Sequence, residues 1–411
     1  MKERHASGSL FTFPRLLACA FVLAAALRIG LALILEERLY WPDSNWHFDT
    51  AHRIASGQGF GPSLIRGPVY PYFLSVVFFF SSRILVVRIC ESFFSAFACV
   101  LVGLLGKRLF SQRVGLLAAF VCSVYPYFIY LPSAQVSDNI VIIPMLLSVL
   151  FLVGKGTSLS LKDSVLSGFF LGLSLLARPS IGAAVPGILV WPAFLRKTSE
   201  PTFLFRKVLL VVAVSLLTVA PWTIHNYVVT KQVVFIATSG GKQFWYGNSP
   251  YATGSTTENP AFPPELTEKL ARLPNEASRE RLLYREGLGF MSQHPNAAIR
   301  LYFKELANLF QLYPSVHTTG AVPQKPVLRI VVSLGSIVLF ALAFLGAVLV
   351  LIKRHSATVL PLFVASYCLG SAFFLAIMRY RLPMDPYLIL LGSAALAFFL
   401  RWPSTLSSSE F

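Results

Sequence analysis

Two carboxylates, a histidine and several aromatic rings fall within one short stretch, Tyr40-Trp41-Pro42-Asp43-Ser44-Asn45-Trp46-His47-Phe48-Asp49. The stretch follows an apolar run, in a chain that is 55% hydrophobic and 13% charged, with 18 Asp and Glu against 35 Lys and Arg. A carboxylate at such a boundary can take a proton from a hydroxyl nucleophile, which makes Asp43 a candidate general base, unpaired in a partly dry cavity. Because Asp43 follows a proline, it is equally placed to cap the helix that Ser44 begins. Asp49 lies six residues on, some 240° round a helix at about 100° per residue, so the two acids need not share a face.

Further candidates recur along the chain. Asp138, after Ser137, heads an apolar run, where a helix dipole favours an anion and where capping is the plain alternative to catalysis. Tyr125-Pro126-Tyr127 and Ser137-Asp138 bracket a short turn that the proline breaks. Arg66, Arg178-Pro179 and Arg379-Tyr380-Arg381-Leu382-Pro383 supply permanent positive charge. One such arginine alone would snorkel to headgroups. The pair Arg379 and Arg381 beside acids suits phosphate oxygens, through planar guanidinium groups. Two deeper charges, Arg28 and Glu91, are expected to form an ion pair between helices, since unpaired charge at depth is costly.

A mean hydropathy of +0.66 and repeated apolar runs near 20 residues describe a polytopic membrane protein. The first run, about Leu16 to Leu35, is too long for a cleaved signal and reads as a signal anchor. The net charge of +17 lies mostly in short loops between spans, so it orients the chain and implies no nucleic-acid partner. All five cysteines, Cys19, Cys90, Cys99, Cys122 and Cys368, fall in apolar runs, which predicts no structural disulfide and no thiolate metal site. His52, His225, His294 and His317 show no metal spacing, and no phosphate-binding glycine loop is present. No cofactor is called for, and a divalent metal stays open.

Spans are expected at 16–36, 84–106, 113–131, 138–155, 164–181, 182–195, 207–224, 328–352, 357–378 and 386–400. Residues 68–82 are apolar but too short to cross. If they lie on the membrane surface, Lys107, Arg108, Arg113, Lys155, Lys162, Arg196, Lys197, Arg206 and Lys207 all face the cytoplasm, as do Lys2, Arg4 and Arg15. The positive-inside bias therefore places both termini in the cytoplasm. Residues 37–83 become one outward loop with surface helices near 43–57 and 68–82. The same choice gathers Asp43, His47, Asp49, 125–138, Arg178, 222–227 and 379–385 on one side, which predicts a cavity lined by acids and arginines. A larger outward segment, 227–325, reads as amphipathic helices near 255–295 and an interfacial helix over 296–312. It separates an N-terminal module, 1–226, from C-terminal spans in 326–411.

An ordered series of motifs then carries a resemblance. Asp43, Trp46, Ala51, Gly57 and Gly59-Phe60 are followed by Arg66-Gly67-Pro68-Val69-Tyr70, Tyr125-Pro126, Ser137-Asp138 and Arg178-Pro179. The series continues through Pro221-Trp222-Thr223-Ile224-His225-Asn226-Tyr227, Gly240-Gly241, Tyr246-Gly247-Asn248-Ser249-Pro250 and Gly254 to Arg379-Tyr380-Arg381-Leu382-Pro383. In this order the chain resembles the GT-C glycosyltransferases that use polyprenyl-phosphate sugars, in the branch of aminoarabinose lipid A transferases and protein O-mannosyltransferases. It departs from them at His225, often arginine there, at Asp138, often glutamate, and at Trp46 and His47, near a common tyrosine.

The resemblance implies an all-α GT-C-like bundle of about ten transmembrane helices in a bacterial inner membrane. It implies an inverting transfer of a sugar from a polyprenyl-phosphate donor to an acceptor hydroxyl at the outer face, with Asp43 as base. The acceptor would be a lipid, a glycan or a protein. Asp138 joins Asp43 as a catalytic candidate. Arg66, Arg178, Arg379, Arg381, His47, Tyr125, Asn226 and Asn248 are the candidates for holding the donor phosphate and substrate. A lipid transporter or flippase is the alternative, disfavoured because transporters keep ionisable groups near the midplane.

Overall fold

Long apolar stretches without turn residues leave the backbone no partner but itself, and in hydrocarbon that means helices. The computed structural model describes residues 12–154, 159–195, 201–254, 261–313, 326–353 and 355–402, and every regular element among them is helical. Lys2, Arg4, Lys155, Arg196, Lys197, Glu258, Asn259, Pro260 and His317 lie outside the described residues.

Among the described residues, five helical stretches are long and apolar enough to cross a membrane: α1 (Phe13–Ile34), α4 (Ile84–Leu109), residues Thr202–Thr230 of α10 (Pro201–Thr230), α15 (Pro326–Ile352) and Met378–Phe399. The last stretch is built from α17 (Met378–Arg381), a short 3₁₀ turn and α18 (Asp385–Phe399). A sixth crossing is a bent pair, α5 (Gln112–Val124) and Pro126–Ser133, which begins with α6 (Pro126–Tyr130). The chain is a multi-pass membrane protein.

The other four expected spans are shorter, 17 residues or fewer, so the count of ten is not reached by length and composition among the described residues. They are α7 (Ser137–Leu152), α8 (Leu161–Ala177), the broken segment Pro179–Phe194 around α9 (Val185–Val190), and Ser356–Ser371, which ends in α16 (Val359–Ser371). Prolines 179, 186 and 192 explain the broken one, because each removes a backbone donor.

The first loop folds as two helices, α2 (Pro42–Ala55) and α3 (Val69–Phe78). Between α10 and α15 stand α11 (Gly240–Gly247), α12 (Pro264–Ala271), α13 (Glu276–Gln293) and α14 (Pro295–Leu309).

Arg28 and Glu91 are both fully buried but are not partners. Pro126 has no N–H to give Cys122 O, and α5 ends before Ser123 O finds its helical donor. Arg28 donates to both carbonyls, at 3.2 and 3.0 Å, and to Ser95 Oγ at 2.8 Å. A cation at a helix C-terminus is also favoured by the dipole. Glu91 instead accepts from the Tyr70 hydroxyl and from Asn139 Nδ2 at 3.1 Å, which fastens α3 to α4 and α7. Arg88 repeats the logic at the end of α1, donating to the carbonyls of Leu35, Glu36 and Arg38.

The loop that follows α2 must press against α8. Gly67 sits where a Cβ would collide with the Leu176 carbonyl oxygen, a backbone atom that cannot swing away. Gly67→Ala is therefore expected to cost about 1–3 kcal/mol, as overpacking does. The readout is a lower melting temperature in detergent, with Arg66 displaced from its partners.

Candidate active site: an arginine-lined cavity

A cavity of about 470 Å³ opens where α2, α7, α8 and α11 meet α13, α16 and the segment before α17. Asp43, His47, Arg66, Arg178 and Arg379 line it. Local sequence explains each position. Pro42 starts α2 and puts Asp43 in its first turn, with His47 four residues on, over the same face. Pro179 pushes Arg178 out of helical geometry to φ −152, ψ 103, so α8 stops and the side chain enters the cavity wall.

The charges are shared. Asp43 accepts from Arg66 Nη2 at 2.5 Å through one carboxylate oxygen and from Arg379 Nη2 at 2.9 Å through the other. Arg379 also faces Asp138 at 3.4 Å, and Arg178 donates to Asp138. The result is a chain, Arg66–Asp43–Arg379–Asp138–Arg178, with three guanidinium groups and two carboxylates. Aromatic faces hold two of the cations: Arg379 lies 4.7 Å over the Trp41 ring and Arg178 lies 4.8 Å over Tyr380. The expectation of an unpaired Asp43 is corrected. Nor does Asp43 cap α2, whose N-cap is Trp41.

Burial alone would raise the pKa of Asp43, but Arg379 and Arg66 outweigh it and hold the carboxylate well below its ordinary value. His47 goes the other way: burial, reinforced by Arg66, pushes it down to about 3, so it is neutral at physiological pH. Its ring packs edge-on against Tyr70 at 4.8 Å.

Residues 65–225 match the family described as dolichyl-phosphate-mannose-protein mannosyltransferase. Among curated proteins nothing matches. The oligosaccharyltransferase of Archaeoglobus fulgidus superposes in its apo form with a TM-score of 0.59 at 15% identity, over 95% of this chain and 51% of that one. The same organism's oligosaccharyltransferase AglB, in complex with an inhibitory peptide and a dolichol-phosphate, superposes with a TM-score of 0.56 at 15% identity, over 94% and 50%. This chain shares the fold of these oligosaccharyltransferases. ArnT from Cupriavidus metallidurans bound to undecaprenyl phosphate aligns at a TM-score of 0.46 and 14% identity, over 93% of this chain and 79% of that one. The chain spans about half the length of the oligosaccharyltransferases it matches.

Within this fold the other residues singled out from the sequence do not line the cavity. Arg381 is fully buried against Asp385, at 2.8 Å, and donates to the Leu309 carbonyl. Two residues from Arg379 in a helical turn, it points some 200° away, at about 100° per residue. Tyr125 donates to the same Asp385 at 2.8 Å. Asn226 donates to the carbonyls of Val234 and Ile236, pinning the chain after α10. Asn248 ties α11 to Phe373 O at 2.7 Å. Asp138 has no exposed side-chain surface and stands behind the arginines. Asp49 is exposed.

Sequence reasoning missed the wall supplied by 227–325. Glu276 accepts from Ser63 Oγ, Leu64 N and Thr238 Oγ1, at 2.8, 2.8 and 3.0 Å, and so clamps the first loop to the segment before α11. Glu280, Tyr284 and Gln243 line the cavity beyond it. The Gly240-Gly241 pair was the available signal, since adjacent glycines mark a close approach.

A divalent cation does not fit this arrangement. Asp43 and Asp138 already face arginines, and no group of three or more His, Cys, Asp or Glu is gathered for a metal among the described residues.

Asp138→Asn leaves Arg178 without a carboxylate partner and Arg379 with Asp43 alone, and is expected to cost about 3–5 kcal/mol, read as lost expression or a lower melting temperature. Glu280 and Glu305, outside the spans, shift the other way from Asp43: burial raises both from 4.5 to about 7. The folded state therefore holds more protons than the unfolded chain between those values, so stability falls as pH rises through the window. Glu280→Gln and Glu305→Gln should each flatten part of that slope in melting curves from pH 4.5 to 7.

Proposed function

We propose that the chain is a membrane glycosyltransferase that moves a sugar from a polyprenyl-phosphate donor to an acceptor hydroxyl, with inversion, at the outer face of a bacterial inner membrane. The observation that carries the reading is the charge of the cavity. In the arginine network three guanidinium groups against two carboxylates, with a neutral histidine, leave one positive charge, Glu280 on the opposite wall being pushed by burial toward its neutral form; a donor phosphodiester brings one negative charge. The family matched over 65–225 is described by a lipid-phosphate sugar, and the superposed AglB holds dolichol-phosphate.

In this reading Arg379, Arg178 and Arg66 hold the phosphate. Asp43 as it stands is ionised but a weak base, because two guanidiniums depress it. A phosphate that competes for Arg379 and Arg66 relieves that depression, so donor binding raises the basicity of Asp43. Asp43 then takes the acceptor's proton as its oxygen attacks the anomeric carbon. The bond from that carbon to the phosphate oxygen breaks, and polyprenyl phosphate leaves with the electron pair, stabilised by the arginines. Asp138 orients the arginines and touches no substrate. Arg381, Tyr125, Asn226 and Asn248 brace the walls. The acceptor is a lipid, glycan or protein hydroxyl, and both termini face the cytoplasm.

The test is a deletion strain carrying either the wild-type chain or Asp43→Asn at matched expression, with envelope glycans compared by mass spectrometry. One sugar lost on deletion and restored only by wild type is the expected result, with turnover down at least about 100-fold. Restoration by both removes Asp43 as base. In purified protein, Arg379→Ala should weaken polyprenyl-phosphate binding about tenfold or more, one charge-assisted contact being worth ~1.5–3 kcal/mol.

A further inference from the structure

The cavity has a second wall of different chemistry. Glu280, Tyr284, Gln243 and Ser371 line it, from α13, α11 and α16. Glu280 accepts from the Gly241 N–H at 3.2 Å, and its electrostatic neighbour is Glu276 rather than an arginine. Gln243 Oε1 and Ser371 Oγ are buried and take no hydrogen bond among the described residues. Leaving such groups unpaired is costly, and sites built to bind substrate hydroxyls show this pattern when empty. The wall exists because α11 starts with two glycines. A Cβ on Gly240 would meet the Tyr284 hydroxyl, and one on Gly241 would meet the Glu280 carbonyl oxygen. Any larger residue would push α13, and with it Glu280 and Tyr284, out of the cavity.

Resting on the functional reading above, the geometry points to Gln243, Glu280, Tyr284 and Ser371 as the subsite that reads the hydroxyl groups of the donor's sugar. A sugar joined to phosphate by one bond must share a cavity with the arginines that hold the phosphate, and this wall is its polar remainder. Gln243 Oε1 accepts from a sugar hydroxyl. Tyr284 and Ser371 donate or accept as the ring's hydroxyls require. Glu280 sits where a carboxyl can do either. The class of ligand is an uncharged, polyhydroxylated sugar, recognised by hydrogen bonds rather than by ion pairing.

The experiment uses the purified full chain in detergent and native mass spectrometry. The probes are polyprenyl phosphate and a panel of polyprenyl-phosphate hexoses and pentoses. Wild type should hold one sugar-bearing lipid more tightly than the sugar-free one. Gln243→Ala and Glu280→Gln should each cut that preference about tenfold while binding of the sugar-free lipid, the control for folding, stays unchanged. Arg379→Ala should weaken both lipids alike. If wild type prefers a sugar-bearing lipid and both subsite variants keep the preference, the inference is overturned. If wild type holds sugar-free and sugar-bearing lipids equally, the inference also fails while the phosphate site stands. If wild type holds neither lipid, the functional reading itself falls.

Discussion

Two carboxylates shared among three arginines set the terms for the rest of this structure. At a membrane boundary a charge that loses its partner is expensive, so each of Asp43, Asp138, Arg66, Arg178 and Arg379 fixes where the next can stand. The five come from five separate stretches of chain, and the network therefore welds the first loop, α7, the end of α8 and the start of α17 together. Its imbalance of one positive charge is what distinguishes it from an ordinary buried ion pair. A closed set of pairs would only stabilise, whereas an open one is ready for an anion.

Holding such a network requires that the helices carrying it end in the right places. Proline does much of this, starting α2 at 42 and stopping α5 and α8 at 126 and 179. Buried arginines satisfy carbonyls left without helical partners at or just beyond helix ends. Arg28 does so for α5 and Arg88 for α1, each a cation placed at a helix C-terminus rather than against an acid. On the other side, Glu276 draws Ser63, Leu64 and Thr238 together and closes the cavity between first loop and α13. The asymmetry of the two walls follows: one is rich in permanent charge, the other in neutral donors and acceptors. In the proposed function, one wall serves a phosphate and the other a hydroxyl-bearing group.

Much of this was legible in the chain alone. Apolar runs announced a helical membrane protein, and the short, proline-led stretch at 68–82 was separable from the true spans by length, as α3 shows. Asp43, Arg66, Arg178 and Arg379 stood out because charge is rare here and each sits at the edge of an apolar run or beside a proline. What composition could not supply was their partners. Arg28 and Glu91 match in depth, yet each found a nearer mate in another helix. Arg379 and Arg381 look equivalent as a pair, but helical geometry sends one to the cavity and the other to Asp385. The bend after Val124 and the broken segment 179–194 likewise turn hydrophobic runs into something other than simple crossings.

By itself, then, the sequence determined which segments are helical and which charged residues stand at their ends, because hydropathy, proline and charge are local properties that act over one or two turns. Only the tertiary structure decided that Asp43 is doubly paired rather than free, that Asp138 lies behind the cavity, and that Gln243, Glu280 and Tyr284 face it. Those outcomes depend on contacts between residues up to 336 positions apart, such as Arg379 with Asp43. No local pattern encodes them, since the partner of a charge is chosen by which helices pack together and how closely their backbones approach.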